Sequence, residues 1–189
     1  MPLCMPTGGS LINKHRLTAA KQLASPNFSE RTKAAKIELL VIHNISLPPG
    51  QFGGGYIEAF FSNQLDPDDD PYFRDIAQLT VSAHLLIDRL GHMTQFVPFD
   101  KKAWHAGASN FEGRDNCNDF SIGIELEGCD DEPFTVLQYE RLVSVTQQLM
   151  AEYPDITLDR IVGHSDIAPG RKTDPGPHFD WALFRAQCA

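Results

Sequence analysis

Short apolar runs that end in polar residues recur along the chain and predict the strands of a sheet. The run "IELLVIHN" at residues 37–44 is rich in Leu and Ile and ends in polar residues, which is typical of a buried strand. In "FSIGIELEG" at residues 120–128, Ile and Leu alternate with Ser, Gly and Glu, which predicts a strand with one apolar and one polar face. "RIVG" at residues 160–163 predicts a further strand, and residues 81–98 predict a β-hairpin whose turn contains Gly91.

Helical spacing predicts one long helix and two short ones. The long helix begins after Thr135, since Gln138 follows three positions later in the pattern of a capping box. Apolar residues then recur at helical spacing as far as Tyr153, and we expect this stripe to face the core. Short helices are predicted within residues 54–65 and 181–186. Strands and helices interleave, so the pattern predicts an α/β (α+β) fold: one domain with a central mixed β-sheet flanked by helices.

The first 35 residues are more polar than the rest of the chain. We interpret residues 1–35 as an N-terminal arm with a short helix around residues 15–23, and residues 36–189 as the main domain. A length of 189 residues is sufficient for one domain with a substantial core, and neither a repeat nor a Ser/Gly-rich linker divides it.

Composition and charge exclude several classes of function. Hydrophobic residues make up 42% of the chain and charged residues 22%, as in ordinary globular proteins. The formal net charge of −9 argues against nucleic acid as a partner, because phosphate binding requires a basic surface. The strongly apolar run Leu39–Ile42 is too short to span a membrane, and the N-terminus lacks the apolar segment of a signal peptide. We therefore expect a cytoplasmic bacterial protein without a membrane partner.

The cysteines are not spaced for a structural role. They are Cys4, Cys117, Cys129 and Cys188. Since no two form a CxxC pair, neither a zinc ribbon nor a thioredoxin-like motif is indicated. Well-separated thiols in a chain of this size are compatible with a reducing compartment.

Candidate chemistry is concentrated in "GHSDIAPGRKTDPGP" at residues 163–177, where Gly and Pro argue against a helix and against a central strand. This loop contains His164 directly after one predicted strand, and His43 directly follows the apolar part of another. Together with Asp174, the two imidazoles form a set of three ligands that leaves a fourth position open, as in catalytic zinc sites. An HExxH helix is absent, so a zincin-type protease is not indicated.

Two further kinds of residue fit hydrolysis at such a metal. Lys172 precedes Asp174 by two positions, and in extended backbone such side chains point the same way, so its ammonium is expected beside the metal, where it stabilises an oxyanion. A water that attacks a carbonyl also needs a proton acceptor. Glu125 and Glu127 share the polar face of one predicted strand, and their spacing leaves the choice between them open.

Six segments resemble the AmpD family of zinc amidases, which act in peptidoglycan recycling and are related to the lysozyme of phage T7 and to peptidoglycan recognition proteins. The segments are "VIHNISLPPG", "VSAHLLI", "QFVPFDKKAWHAG", "CNDFSIGIELEG", "GHSDIAPGRKTDPGP" and "FDWALFRA". The resemblance extends from Leu40 to Arg185 and implies an amidase domain at residues 36–189 with the T7-lysozyme-like fold of peptidoglycan recognition proteins.

The resemblance also implies roles for single residues. His43, His164 and Asp174 match the zinc ligands, Glu125 matches the general base and Lys172 matches the residue that stabilises the transition state. Positions in or near the substrate groove are matched by Asn44, Trp104, Tyr72 and His84. The chain departs from the family pattern at Asn116 and Thr80, where the pattern has arginine, and both differences remove positive charge that would grip the substrate.

The reaction implied by the resemblance is hydrolysis of the amide bond between 1,6-anhydro-N-acetylmuramic acid and L-alanine of the stem peptide. The implied cofactor is Zn²⁺, the partner is an anhydromuropeptide substrate, and the protein is expected to be a monomer that limits β-lactamase induction indirectly. Two alternatives are an amidase that acts on intact peptidoglycan and a non-catalytic peptidoglycan-binding module. The presence of all three candidate ligands favours an enzyme.

Overall fold

The structure is a computed structural model that describes residues 11–32 and 34–189, so Cys4 and the first ten residues of the predicted arm lie outside the described residues. The strands are β1 (Ile12–Asn13), β2 (Arg16–Leu17), β3 (Lys21–Gln22), β4 (Phe28–Glu30), β5 (Leu39–Ile45), β6 (Leu85–Ile87), β7 (Met93–Gln95), β8 (Lys101–Ala103), β9 (Asn110–Phe111), β10 (Arg114–Asp115), β11 (Ser121–Glu127) and β12 (Ile161–Gly163). The helices are α1 (Tyr56–Phe61), α2 (Phe73–Ile76), α3 (Val136–Glu152), α4 (His164–Ile167) and α5 (Trp181–Cys188), with single 3₁₀ turns at Cys117–Asp119 and Leu158–Arg160.

One mixed sheet organises the fold. Its strand order is β12-β5-β11-β6-β7-β3. The first four strands of this order are parallel to one another, β7 is antiparallel to β6, and β3 is parallel to β7. This arrangement confirms the predicted central mixed sheet flanked by helices. Among the described residues, none of the helices combines the length and the apolar composition that a membrane crossing requires.

The alternation along β11 produces two different faces, as predicted, but both are covered. Ile122 and Ile124 join a core cluster with residues of α3 and α5. The opposite face carries Gly123 and Glu125, and all seven residues of the strand are buried. A polar face on a central strand requires either hydrogen-bonding partners or a cleft. Both are found on this side of the sheet.

Helix α3 begins as the capping-box pattern predicts. The hydroxyl oxygen of Thr135 accepts a hydrogen bond from the backbone N–H of Gln138 at 3.1 Å, and the Gln138 side chain accepts one from the N–H of Thr135 at 3.0 Å. The predicted apolar stripe packs on the sheet, with Leu142 and Leu149 fully buried. The helix ends before Tyr153, whose hydroxyl forms a hydrogen bond with Nδ1 of His15.

The helix predicted around residues 15–23 is wrong, since this segment forms β2 and β3. Lys14 and His15 have φ of 48° and 61° and form the turn between β1 and β2, which a helix does not tolerate. Instead of lying on a helix, Leu17 is buried in the main core. The backbone N–H of Leu17 donates to the side-chain oxygen of Gln95 at 2.7 Å. Residues 11–32 therefore pack against the main sheet, and the domain boundary at residue 35 stays a prediction.

Arg31 connects the N-terminal segment to the underside of β11. Its guanidinium donates to the carbonyl oxygens of Ser121 at 2.7 Å and Asn118 at 3.0 Å. Burial lowers the pKa of Arg31 to about 10, so the side chain stays charged at neutral pH. A charged donor bound to backbone carbonyls fixes the start of β11.

Substitution of Leu17 tests whether the N-terminal segment belongs to the cooperative core. We expect Leu17→Ala to lower the free energy of unfolding by about 2–5 kcal/mol, because it removes a side chain that is only 2% exposed. Urea denaturation followed by circular dichroism measures the change. The control is Leu90→Ala, at a side chain that is 64% exposed and should tolerate the change. Equal stability of the two variants would contradict an integral role for the segment.

Candidate active site

The sheet places the candidate residues at the carboxyl ends of its parallel strands. In the pairing of β5 with β11, His43 lies directly opposite Glu125. Strand β12 pairs with the other edge of β5 and ends at Gly163, so His164 at the start of α4 emerges beside His43. Ligands and reactive groups commonly gather at this edge of a parallel sheet.

The loop after α4 brings Asp174 back to the two histidines. Gly170 has φ of 77°, a left-handed conformation in which glycine is favoured, and it reverses the chain. The backbone N–H of Ser165 donates to the carbonyl oxygen of Asp174 at 3.0 Å, which fixes the returning strand of the loop to the start of the helix. Asp174 is therefore held against His164 although ten residues separate them.

The three predicted ligands meet. The Nδ1 atom of His43 lies 3.0 Å from Nδ1 of His164 and 2.9 Å from Oδ2 of Asp174. Nδ1 of His164 lies 3.1 Å from the same carboxylate oxygen. A tetrahedral zinc ion binds nitrogen and oxygen at about 2.0–2.2 Å, so its ligand atoms lie roughly 3.3 Å apart. Within the described residues, this is the His/Cys/Asp/Glu group that can hold a metal ion.

The protonation of the three residues also suits a cation. Burial lowers the pKa of His43 to about 4, against the opposing effect of Asp174, so the imidazole is neutral at pH 7. Burial alone would raise the pKa of Asp174, but the close contacts of its carboxylate with the imidazoles of His164 and His43 outweigh burial, and the pKa lies below its ordinary value. Nε2 of His164 lies 3.0 Å from the carbonyl oxygen of Ala106, to which it donates. In the neutral ring this leaves Nδ1 with a free lone pair for a metal.

The structure separates the two glutamates that sequence spacing left open. Glu125 faces the cavity beside His43, and its Oε2 atom is buried without a hydrogen-bond partner among the described residues. Burial, followed by the charge of Asp174, raises the pKa of Glu125 well above its ordinary value. Glu127 instead accepts hydrogen bonds from the backbone N–H groups of Gly53 at 2.5 Å and Arg89 at 3.1 Å. Glu127 therefore holds two loops in place, and Glu125 is available for chemistry.

A cavity of about 650 Å³ opens over the three ligands. Lys172 lines it, together with three residues that the resemblance places in or near a substrate groove: Asn44, Trp104 and Tyr72. Asn44 donates from its amide to a carboxylate oxygen of Asp130 at 2.7 Å, which fixes its orientation. Tyr72 is 41% exposed and lies at the cavity mouth.

His84 is not brought to the cavity. It is fully buried, its Nδ1 accepts from the backbone N–H of Gly123 at 3.0 Å, and its Nε2 lies 3.0 Å from the carbonyl oxygen of Lys101. Burial, followed by the charge of Arg31, lowers the pKa of His84 to about 3. The side chain therefore supports β11 from inside the protein. Asn116 and Thr80 are exposed and do not line the cavity.

Comparison with known proteins assigns the chain to a family. The family model described as N-acetylmuramoyl-L-alanine amidase matches residues 33–177. The 1,6-anhydro-N-acetylmuramyl-L-alanine amidase AmpD of Haemophilus influenzae is 58% identical over 173 residues, which cover 92% of this chain and 94% of that protein. The chain belongs to the N-acetylmuramoyl-L-alanine amidase family.

Solved structures agree with this membership. A crystal structure of a selenomethionine derivative of AmpD superimposes with a TM-score of 0.92 at 53% identity and covers 95% of this amidase and 99% of that chain. The amidase AmiD of E. coli, in complex with the substrate anhydro-N-acetylmuramic acid-L-Ala-D-γ-Glu-L-Lys, superimposes with a TM-score of 0.60 at 29% identity. That match covers 85% of this amidase and 65% of AmiD. The predicted fold and enzyme class are confirmed.

Sequence reasoning missed two residues of the amidase site. His105 contacts Nε2 of His43 at 2.9 Å through its own Nδ1, and Asp130 orients Asn44. His105 follows Trp104 directly in the segment "AWHAG", so the signal lay in a segment that was noticed only for its tryptophan. Asp130 lies in a loop whose sequence contains no recognisable motif, and only its hydrogen bond with Asn44 in the structure identifies it.

The raised pKa of Glu125 predicts that the free energy of unfolding of the metal-free amidase depends on pH. Unfolding lets this carboxyl ionise at its ordinary pKa, so the stability of the folded state falls as pH rises from that value through the raised pKa. We expect Glu125→Gln, which cannot ionise, to become increasingly more stable than wild type as pH rises above the ordinary pKa of a glutamate side chain. Urea unfolding in the presence of a chelator measures the difference. Glu140→Gln, on the exposed side of α3, serves as the control. A difference that stays constant as pH rises would disprove the raised pKa.

Proposed function

We propose that this amidase hydrolyses the amide bond between 1,6-anhydro-N-acetylmuramic acid and L-alanine of the stem peptide, with zinc as its cofactor. The observation that carries the proposal is the meeting of His43, His164 and Asp174 within one cavity that also contains Glu125 and Lys172. The relatives support the choice of substrate, since AmpD bears the name of this activity and AmiD was solved with an anhydromuramyl peptide.

His43, His164 and Asp174 would hold the metal. Two imidazole nitrogens and one carboxylate oxygen are the donors of a catalytic zinc site, which keeps one position open. Bound zinc would supply Lewis acidity, which polarises a carbonyl group and lowers the pKa of water to about 7.

Glu125 would carry the proton. Its carboxylate accepts a proton from the attacking water and donates it to the alanine nitrogen as the amide bond breaks. The free Oε2 atom and the cavity position provide access to both atoms. Burial raises the pKa of Glu125, and a raised pKa suits a carboxyl that must both accept and donate protons near neutral pH.

The remaining cavity residues would bind and stabilise the substrate. Lys172 places a positive charge where the oxyanion of the tetrahedral intermediate develops. Trp104 and Tyr72 offer aromatic surfaces to the sugar and the peptide, and Asn44 offers an oriented amide. His84 would contribute indirectly, through its hydrogen bond to the backbone of Gly123. The cytoplasmic location and the monomeric state stay predictions from the sequence.

Activity assays with two substrates test the proposed function. We expect purified protein to cleave an anhydromuramyl tripeptide but not intact sacculi, to lose this activity on chelation and to regain it with zinc. Release of the free peptide, followed by chromatography, is the measurement. Cleavage of sacculi would favour the amidase of intact peptidoglycan. Binding without cleavage would favour the non-catalytic module, and activity that persists after complete metal removal would contradict the zinc site.

Lys172 can be tested separately from the metal. We expect Lys172→Ala to retain zinc and to lower kcat by about 100- to 1,000-fold, the typical cost of losing one oxyanion donor. Zinc content is measured by metal analysis, and turnover is measured on the tripeptide. Lys36→Ala is the matched control, because Lys36 is 74% exposed and forms a surface ion pair. Undiminished turnover in Lys172→Ala would remove the residue from the mechanism.

A further inference from the structure

His105 lies between a candidate metal ligand and the start of β11. Its Nδ1 atom is 2.9 Å from Nε2 of His43, and its own Nε2 atom is 3.1 Å from the hydroxyl oxygen of Ser121. The rings of His43 and His105 meet edge to face, with centroids 5.0 Å apart and an interplanar angle of 84°. Both nitrogens of His105 therefore have a polar partner, and one partner is the far nitrogen of a ligand.

The fold contains a built place for this imidazole. A Cβ atom on Gly123 would lie 2.4 Å from Cγ of His105, closer than atoms can approach, so only glycine leaves room for the ring on this face of β11. The backbone of Gly123 is not in the left-handed region, which means that space and not conformation requires glycine there.

The backbone that carries His105 is held as well. The side-chain oxygen of Asn118 accepts hydrogen bonds from the N–H groups of His105 at 3.1 Å and Ala106 at 2.8 Å. The carbonyl of Ala106 in turn accepts the Nε2–H of His164. Two adjacent residues thus contact the far nitrogens of both ligand imidazoles, one through a side chain and the other through the main chain.

The tautomer of His43 depends on this contact. For Nδ1 of His43 to bind a metal, the ring proton must be on Nε2, where it needs an acceptor because the group is buried. Nδ1 of neutral His105 is the acceptor within reach. The proton of His105 is then on its Nε2, which donates a hydrogen bond to the hydroxyl oxygen of Ser121.

We propose that His105 is a positioning residue for the metal site, which accepts the Nε2–H of His43 and so directs the lone pair of Nδ1 toward the metal. This inference rests on the proposed zinc site. His105 would accept the Nε2–H of His43 as the carbonyl of Ala106 accepts that of His164. In the same arrangement, Gly123 leaves room for the ring of His105, and Ser121 accepts its Nε2–H. Partners of this kind typically change metal affinity by about 10- to 100-fold.

Zinc affinity, measured by competition with a chromophoric chelator, tests the proposal without an activity assay. We expect His105→Leu, which fills the slot but accepts no hydrogen bond, to weaken zinc binding by about 10- to 100-fold. His105→Gln should recover part of the loss, because its amide oxygen accepts at a similar place. The matched control is His92→Ala, at an exposed histidine of the hairpin turn that contacts Asp88, and its affinity should equal that of wild type.

Nuclear magnetic resonance of the zinc-loaded proteins distinguishes positioning from general stability. In wild type, the Nε2–H proton of His43 should be shifted downfield and protected from exchange. In His105→Leu this signature should be lost, and the Nε2–H of His164 should keep its own, since the carbonyl of Ala106 remains. A purely structural role for His105 would change both signals or neither.

The outcomes separate this inference from the proposed function. Zinc affinity of His105→Leu within twofold of wild type, or an unchanged His43 signal, would overturn the role of His105 and leave the zinc site intact. Failure of wild type to bind zinc would overturn the proposed function itself. If His105→Leu does not fold, Ser121→Ala tests the proposal instead, because it removes only the hydroxyl oxygen that accepts the hydrogen bond from Nε2 of His105. Weaker zinc binding in Ser121→Ala supports the proposal, and unchanged binding overturns it.

Discussion

The residue-by-residue pairing of β5 with β11 is the constraint on which the site depends. This register places His43 opposite Glu125, so a candidate metal ligand and the candidate proton carrier share one face of the sheet. Because side chains alternate along a strand, a slip of either strand by one residue would turn its polar side chain, His43 or Glu125, into the packed core and bring an apolar neighbour into the cavity. The apolar alternation of β11 prevents such a slip, since Ile122 and Ile124 belong under the helices. Core packing and catalytic geometry are therefore set by the same pairing.

A buried polar face is costly unless its groups are paired, and this amidase pairs nearly all of them. His84 and His105 each use both ring nitrogens. On the same side of the sheet, the guanidinium of Arg31 donates a hydrogen bond to the carbonyl oxygen of Ser121. Two atoms of these residues are exceptions: Nε of Arg31 and Oε2 of Glu125 are buried without a hydrogen-bond partner among the described residues. An unpaired acceptor beside the candidate metal ligands is unfavourable for stability, and in the proposed mechanism the Oε2 atom of Glu125 would accept a proton.

Local patterns were sufficient for the elements that local forces decide. The capping box at Thr135 and the run before His43 depend on neighbouring residues, and both were predicted correctly. The helix predicted around Leu17 is wrong because a left-handed turn and pairing at the edge of the sheet decide the structure of this segment. Glu125 and Glu127 are equivalent in spacing, so the alternation along the strand cannot distinguish them, whereas the structure does so through the loop amides that bind Glu127. Such information is tertiary and has no trace in a single strand.

The N-terminal segment supports the candidate site, although the predicted main domain begins only at residue 36. Arg31 holds the carbonyls of Asn118 and Ser121, and the side chains of these two residues hold the backbone and the ring of His105. His105 in turn contacts His43. A continuous series of hydrogen bonds thus runs from a polar N-terminal residue to a candidate metal ligand. Because each contact restricts the next, the geometry of the ligand depends on residues that a description of the cavity alone would omit.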